Sequence, residues 1–329
     1  MGRSNRCIWT LLAAALLLAP AAPARAERFF PELQTLFPGS FLELSYGDRR
    51  EQNDTAFLGA YSSRLRDTTR RGTLNLRFKQ FGIGATGYGD EFELNTDTFR
   101  RLEQEHGNAV FAAGFLRNLL LDDDVLTLTV SSGSSVTDFA FQLPLPTLAY
   151  SRRETFDNDG RVGIMYKFSV FVVGYAQGGQ RAAVEIVDSS FPPIAESYAF
   201  DTAVQLAGVI LEGKGSGAHL IWERMGSPGK PGKVVDLDPG FSEHWQATWR
   251  LGAFGVSWES TQSRSGYHGV HYRTATRAGV SLAYAFSHAF TLSLSQTQAQ
   301  REVGFVFLGQ PLVSHTLGEL TQMGLRWEF

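Results

Sequence analysis

The 329 residues carry 30 lysines and arginines against 33 aspartates and glutamates, a formal net charge of −3. That balance lacks the basic face that a nucleic-acid partner demands, so none is expected. The single cysteine, Cys7, cannot close an internal disulfide, and past residue 26 no segment approaches the roughly 18 consecutive apolar residues of a membrane helix.

The first element in chain order is a targeting segment. Arg3 and Arg6 precede the apolar run "IWTLLAAALLLA", and "PAAPARA" then sets Ala24 and Ala26 in an A-x-A pattern. A basic start, an apolar stretch too short to span and small residues at a cut site predict a secretory signal peptide over residues 1–26. Cys7 lies ahead of the apolar run and away from the cut, so a lipoprotein anchor is not indicated, and cleavage removes the only thiol. Residues 27–39 form a short amphipathic piece with Phe29, Phe30, Leu33, Leu36 and Phe37. Pro31 and Pro38 limit any helix there to about two turns. Such a piece either enters a barrel as a plug or lies against its periplasmic rim, and its brevity favours the rim.

From residue 40 to residue 329 the dominant signal is strict alternation. "TLNLRFKQ" sets Leu74, Leu76 and Phe78 against Thr73, Asn75, Arg77 and Lys79. "VLTLTVSS", "AFGVSWES", "FTLSLSQT" and "LTQMGLRWEF" obey the same rule. Period two over short segments is the mark of a strand with two unlike faces. Alternation alone does not distinguish a soluble barrel, apolar inside, from a membrane barrel, apolar outside.

Connection lengths separate the two. Tight links fall near Gln80, Lys167, Gly252 and Ser287, while the long polar stretches Gly89–Gly107, Ser151–Gly160, Glu223–Glu243 and Arg301–Glu319 lie between them. Short turns alternating with long connections match the periplasmic and external ends of an outer-membrane barrel. Counting back from Phe329 puts every tight link on one side. The expected fold is all-β: a closed antiparallel transmembrane barrel of about 14 strands, within about 12 to 16, with short periplasmic turns and long external loops. Ser131–Tyr150 and Gly47–Arg71 are the places where a strand pair would hide. Phe78, Phe81, Phe168, Trp249, Phe254, Phe286, Phe290, Trp327 and Phe329 all neighbour the proposed periplasmic ends, as the aromatic girdle of such a barrel requires.

The closing stretch "QMGLRWEF" places Met323, Leu325, Trp327 and Phe329 on one side of an extended chain. A polar residue, a glycine and then two hydrophobic or aromatic residues spaced by one resemble the C-terminal β-signal of Gram-negative outer-membrane proteins. Gln322, Gly324, Trp327 and Phe329 fit that pattern position by position. The resemblance implies bacterial outer-membrane localisation, contact with lipid and lipopolysaccharide, and the barrel-assembly machinery as a partner. It implies no particular activity. In hydrocarbon every backbone amide must be paired, so the last strand is expected to meet the first, near Ser40–Gly47.

Function is then sought in the lumen. The inward candidates are Arg77, Lys79, Lys167, His219, Glu223, Arg250, Glu259, Arg326 and Glu328. Their basic members near the periplasmic end would favour anions, or the charges would pair with one another in a plugged interior. The preferred reading is a porin-like channel or passive transporter of small solutes with a polar lumen, without cofactor or metal. The alternatives are an outer-membrane lipid hydrolase and a structural or export-associated barrel that binds a partner or polysaccharide. Ser287–His288 and Ser314–His315 are adjacent in sequence and would point to opposite faces of a strand, so neither pair makes a nucleophile–base contact by itself. His268 and His271 lack further ligands for a metal. "DNDG" at 157–160 and "DLDPG" at 236–240 have turn composition without full calcium-loop spacing.

Overall fold

The computed structural model describes residues 41–52, 64–78, 80–95, 99–143, 149–189, 191–213, 216–287, 289–307 and 310–328. The expected signal peptide, the piece at 27–39, Lys79, His288 and Phe329 lie outside these residues. Fourteen strands follow one another: β1 (Phe41–Gln52), β2 (Arg64–Phe78), β3 (Phe81–Asn95), β4 (Arg100–Arg117), β5 (Val125–Gln142), β6 (Ala149–Phe168) and β7 (Phe171–Asp188) form the first half. The second half comprises β8 (Phe191–Gly213), β9 (Ser216–Ser227), β10 (Gly240–Leu251), β11 (Phe254–Tyr267), β12 (His271–Ala285), β13 (Phe290–Phe307) and β14 (Gln310–Glu328).

Each strand pairs antiparallel with the next, and β1 pairs with β14 to close the barrel. At the seam Leu42 faces Trp327 and Ser45 faces Gly324. The closing strands are thus the N-terminal and C-terminal segments, as the need to pair every amide in hydrocarbon dictates. No helix among the described residues is long and apolar enough to cross a membrane; the crossing is made by strands.

The outward face follows from alternation. Leu44, Ile83, Leu116, Leu128, Ile164, Val173, Leu282, Leu294 and Leu325 are large apolar side chains exposed on the outside near the periplasmic ends. Rings cluster at the same level: Phe78 with Phe81 at 5.6 Å, Phe286 with Phe290 at 6.2 Å, and Phe290 with Trp327 at 6.3 Å between centroids. An apolar band edged by aromatics is what a barrel presents to lipid. Further up, the outward positions of the same strands turn polar, with Gln104, His106 and Asn108 on β4 and Gln296, Gln298 and Gln300 on β13.

That change of polarity corrects the expected loops. The stretch Gly89–Gly107 is mostly wall, since β3 runs to Asn95 and β4 starts at Arg100. Ser151–Gly160 lies wholly within β6, and Arg301–Glu319 is mostly β13 and β14. Above the lipid, water faces the outside of the sheet, so polar residues occupy both faces and the composition imitates a loop. The "DNDG" segment is a bulge within β6 and not a turn: the register slips between Asn158 and Gly160. Gly160 adopts φ 142°, a value that side chains avoid. Among the described residues no extra strand pair occupies Ser131–Tyr150, where β5 runs to Gln142 and β6 begins at Ala149, and of Gly47–Arg71 residues 53–63 lie outside the described residues.

Candidate functional site

Inward side chains gather in two layers. The lower layer sits inside the lipid-facing band. There the inward positions of β4, β6, β7, β8 and β9 carry Phe115, Met165, Val172, Val204, Leu206, Ile210 and Ile221, all buried in one cluster. Cations edge this layer. The Arg77 guanidinium lies 4.4 Å above the Phe115 ring, a cation–π contact, and Lys167 Nζ is 3.9 Å from Glu212. At the top of the layer Arg161 donates to the Thr202 hydroxyl at 2.7 Å and meets the Met225 sulfur at 3.7 Å.

The upper layer is built on charge and aromatic rings. Arg101 and Arg301 hold the two oxygens of Glu103 at 2.8 and 3.1 Å, and Arg273 holds Glu105 at 2.7 Å. Glu103 and Glu105 stand on β4, whereas Arg273 and Arg301 stand on β12 and β13, which do not neighbour β4 in the sheet. The pairs therefore cross the lumen and tie opposite walls together. Alongside, Arg152 Nε is 3.3 Å from Glu154, and the His271 ring nitrogen lies 3.9 Å from the same carboxylate. Phe139 receives Arg101 and Arg152 over its ring at 5.5 and 5.4 Å. It packs on Phe305 at 5.1 Å, and Tyr150 packs on Phe305 at 5.3 Å.

A loop covers this layer. Residues 228–239, between β9 and β10, fold back on themselves through a Lys230–Leu237 bridge and add a second bridge from Leu237 to Tyr267. Val235 and Leu237 are buried among Tyr198, Phe200 and Tyr267. On one flank the Tyr198 hydroxyl donates to the Val235 carbonyl at 2.5 Å and the Val234 amide donates to Glu196 at 2.7 Å. On the other flank the Asp238 amide donates to the Gly266 carbonyl and the His268 amide to the Asp236 carbonyl. The loop is stitched from β8 to the β11–β12 turn.

The residues expected in the lumen are placed as follows. Arg77, Lys167 and Glu223 are inward and buried, and Arg326 shares the inward side of β14 with Gly324. His219 shares a side of β9 with Ile221, Arg250 a side of β10 with His244, and Glu259 a side of β11 with Thr261. Glu328 ends β14, and its side chain is outside the described residues. The cross-lumen clasp is built from a different set, Arg101, Glu103, Glu105, Arg273 and Arg301. At this level the inward positions of β10–β13 are polar, as expected of the lumen, with Thr248, Ser257, Ser281, Ser293 and Ser295 among them, whereas the facing wall is apolar because β7 and β8 carry apolar residues on both sides. The two histidines of "YHGVHY" take different places: His268 is exposed with Nδ1 3.3 Å from Asp238, and His271 is buried in the lumen. The Ser287 hydroxyl accepts the Ala289 and Phe290 amides at 3.2 and 3.1 Å, a turn contact.

No protein-family model matches the chain, and no curated protein matches it. Among solved structures, it is similar to a FadL homologue of Pseudomonas aeruginosa at 10% identity, with a TM-score of 0.51, covering 92% of this chain and 93% of that one. The CymD monoaromatic hydrocarbon channel scores 0.48 at 12% identity, over 95% of this chain and 98% of that one. The translocator domain of autotransporter NalP from Neisseria meningitidis scores 0.45 at 10% identity, over 89% of each chain. At 10% identity the likeness to the FadL homologue is one of fold. Together with the closed sheet and its apolar, aromatic-edged outside, it makes this chain an integral outer-membrane β-barrel.

Proposed function

We propose that the barrel binds small apolar solutes in the lower layer of its lumen and passes them passively across the outer membrane. The observation that carries this reading is the buried inward cluster around Phe115, Met165, Leu206, Ile210 and Ile221 at the level of the lipid-facing band. A water-filled diffusion pore has a polar interior at that level. Here the wall from β4 to β9 is apolar at that level, and an apolar wall beneath the β9–β10 loop favours solutes that gain by leaving water. The β9–β10 loop and the clasp beneath it are the gate in this scheme, and the basic residues Arg77, Lys167 and Arg326 mark the periplasmic exit. The residue pattern of 1–26 supports export by a cleaved signal peptide. Gln322, Gly324, Trp327 and Phe329 support recognition by the barrel-assembly machinery, with lipopolysaccharide bordering the external leaflet.

The test is binding and conductance on the refolded protein. N-phenyl-1-naphthylamine, a small apolar fluorophore, should brighten in the presence of the barrel and be displaced by toluene. Planar bilayers should show no stable open steps. Steady conductance steps together with unchanged probe fluorescence would overturn the reading in favour of a water-filled pore.

A further inference from the structure

One connection on the periplasmic side departs from the rest. Ser169–Val170 and Gly252–Ala253 are two-residue turns, but β4 and β5 are joined by "NLLLDDD", Asn118–Asp124. Leu119, Leu120 and Leu121 within it are 51%, 74% and 54% exposed. Turns usually carry polar residues because their backbone groups face water. Here the polar residues hold the backbone and the leucines are displayed.

The scaffold is fully accounted for. The Asp124 carboxylate accepts the amides of Leu119, Leu120 and Leu121 at 2.7, 2.9 and 3.1 Å. The Asp123 amide donates to the Asn118 side-chain oxygen at 3.1 Å, and the Asn118 amide donates to the Asp124 carbonyl at 3.1 Å. Asn118 and Asp123 take φ 53° and 66°, a region that Asn and Asp enter more readily than other side chains. The leucines are therefore presented in one fixed shape.

Tyr166 shows which way the turn faces. Its hydroxyl donates to Asp124 at 2.6 Å. Tyr166 stands on the outward side of β6 with Val162 and Ile164, both exposed to the lipid side. Its ring stacks on Phe168 at 5.6 Å, and Phe168 packs on Phe171 at 5.8 Å. The turn is thus pinned to the lipid-facing side of the wall, in line with the aromatic girdle and directly below the exposed Leu116 and Leu128.

We propose that Leu119–Leu121 form a lipid anchor that enters the periplasmic leaflet of the outer membrane and extends the apolar band below the wall at β4–β5. Continuity with the lipid-facing band selects acyl chains as the occupant. Asp122 and Asp123, both exposed, then lie toward the headgroups and water. This inference does not depend on what the lumen carries.

The experiment uses the full-length protein with Cys7→Ser and Leu120→Cys, labelled with the polarity-sensitive NBD fluorophore and placed in phospholipid nanodiscs, which leave both ends open to solvent. Ser189→Cys, in the external β7–β8 turn, is the control. The label at position 120 should emit at shorter wavelength than the control, be quenched several-fold more by nitroxide-bearing lipids, and resist aqueous iodide. Water-like emission with iodide quenching equal to the control would overturn the anchor and leave the leucines to a soluble periplasmic partner. Shielding that disappears when each nanodisc holds a single copy would overturn it in favour of self-association. If Leu120→Cys fails to fold, as judged by heat-modifiable gel mobility, Leu119→Cys or Leu121→Cys gives the same readout.

Discussion

The two layers of the lumen hold inward side chains together with opposite chemistry. The lower layer packs Val, Leu, Ile, Met and Phe where the wall outside is in lipid. The upper layer sets Glu103 and Glu105 against Arg101, Arg273 and Arg301 where the wall outside is in water. Apolar packing is non-directional, so it can yield to a guest of similar polarity and close again. Buried ion pairs are directional, and separating them strands charge in a poorly hydrated site. The contrast sets yielding contact in the lower layer against fixed, directional contact in the upper one.

Removing one carboxylate from the upper layer should have the largest effect. Glu103→Gln leaves Arg101 and Arg301 without their shared partner, and loss of one member of a buried pair costs about 3–5 kcal/mol. The transition from folded to heat-unfolded gel mobility should fall to lower temperature, and bilayers should acquire open steps that the parent lacks. A variant as stable and silent as the parent would show that the clasp does not hold the walls together. In the lower layer Leu206→Ala should cost about 2–3 kcal/mol, near the bottom of the range for truncating a buried leucine, because a lumen can take in water. Its distinguishing readout is weaker binding of N-phenyl-1-naphthylamine with no new conductance. Should Leu206→Ala open steps and Glu103→Gln weaken the probe, the two roles are exchanged.

The unequal legibility of these layers in the sequence has a physical cause. The outer band and its tight turns were readable because lipid on one side and polar groups on the other enforce period two, as in "VLTLTVSS". The lower layer was not, since "FVVGYA" is apolar on both faces: Val172 points in and Val173 out, and residue type does not tell them apart. The clasp did leave a trace. Arg101, Glu103 and Glu105 recur at every second position of "RRLEQEHG", as one face of a strand would. On the other face Gln104 and His106 are also polar because β4 has risen out of the lipid, and the segment imitates a loop. That β12 and β13 supply the partners depends on which walls meet across the lumen, which no local pattern encodes.

The cover over the upper layer should respond more weakly than the layer itself. Tyr198→Phe removes the hydroxyl that holds the Val235 carbonyl and leaves the ring in place. One neutral hydrogen bond contributes about 1 kcal/mol, so the fold should persist with little change in its unfolding temperature. Proteolytic cleavage within residues 228–239 should accelerate about fivefold, the equivalent of that energy when cleavage follows a rapid opening. An unchanged cleavage rate would mean that the loop is held by its buried Val235 and Leu237 alone.

Acid offers the smallest perturbation, confined to the β4–β5 turn below both layers. The Tyr166 hydroxyl, and after it the Leu120, Leu119 and Leu121 amides, outweigh the opposing effect of burial and hold the Asp124 carboxyl down at about 2. An unfolded aspartate titrates near about 3.9. A depressed folded value means that the carboxylate contributes stability in full above about pH 4 and loses it as pH falls toward about 2. The amide resonances of Leu119–Leu121 should therefore hold steady down to about pH 4 and shift with a midpoint near pH 2, and Asp124→Asn should abolish that inflection. A midpoint near the unfolded value would place the carboxylate outside the cradle of amides. The leucines would then owe their arrangement to the positive-φ residues Asn118 and Asp123 alone.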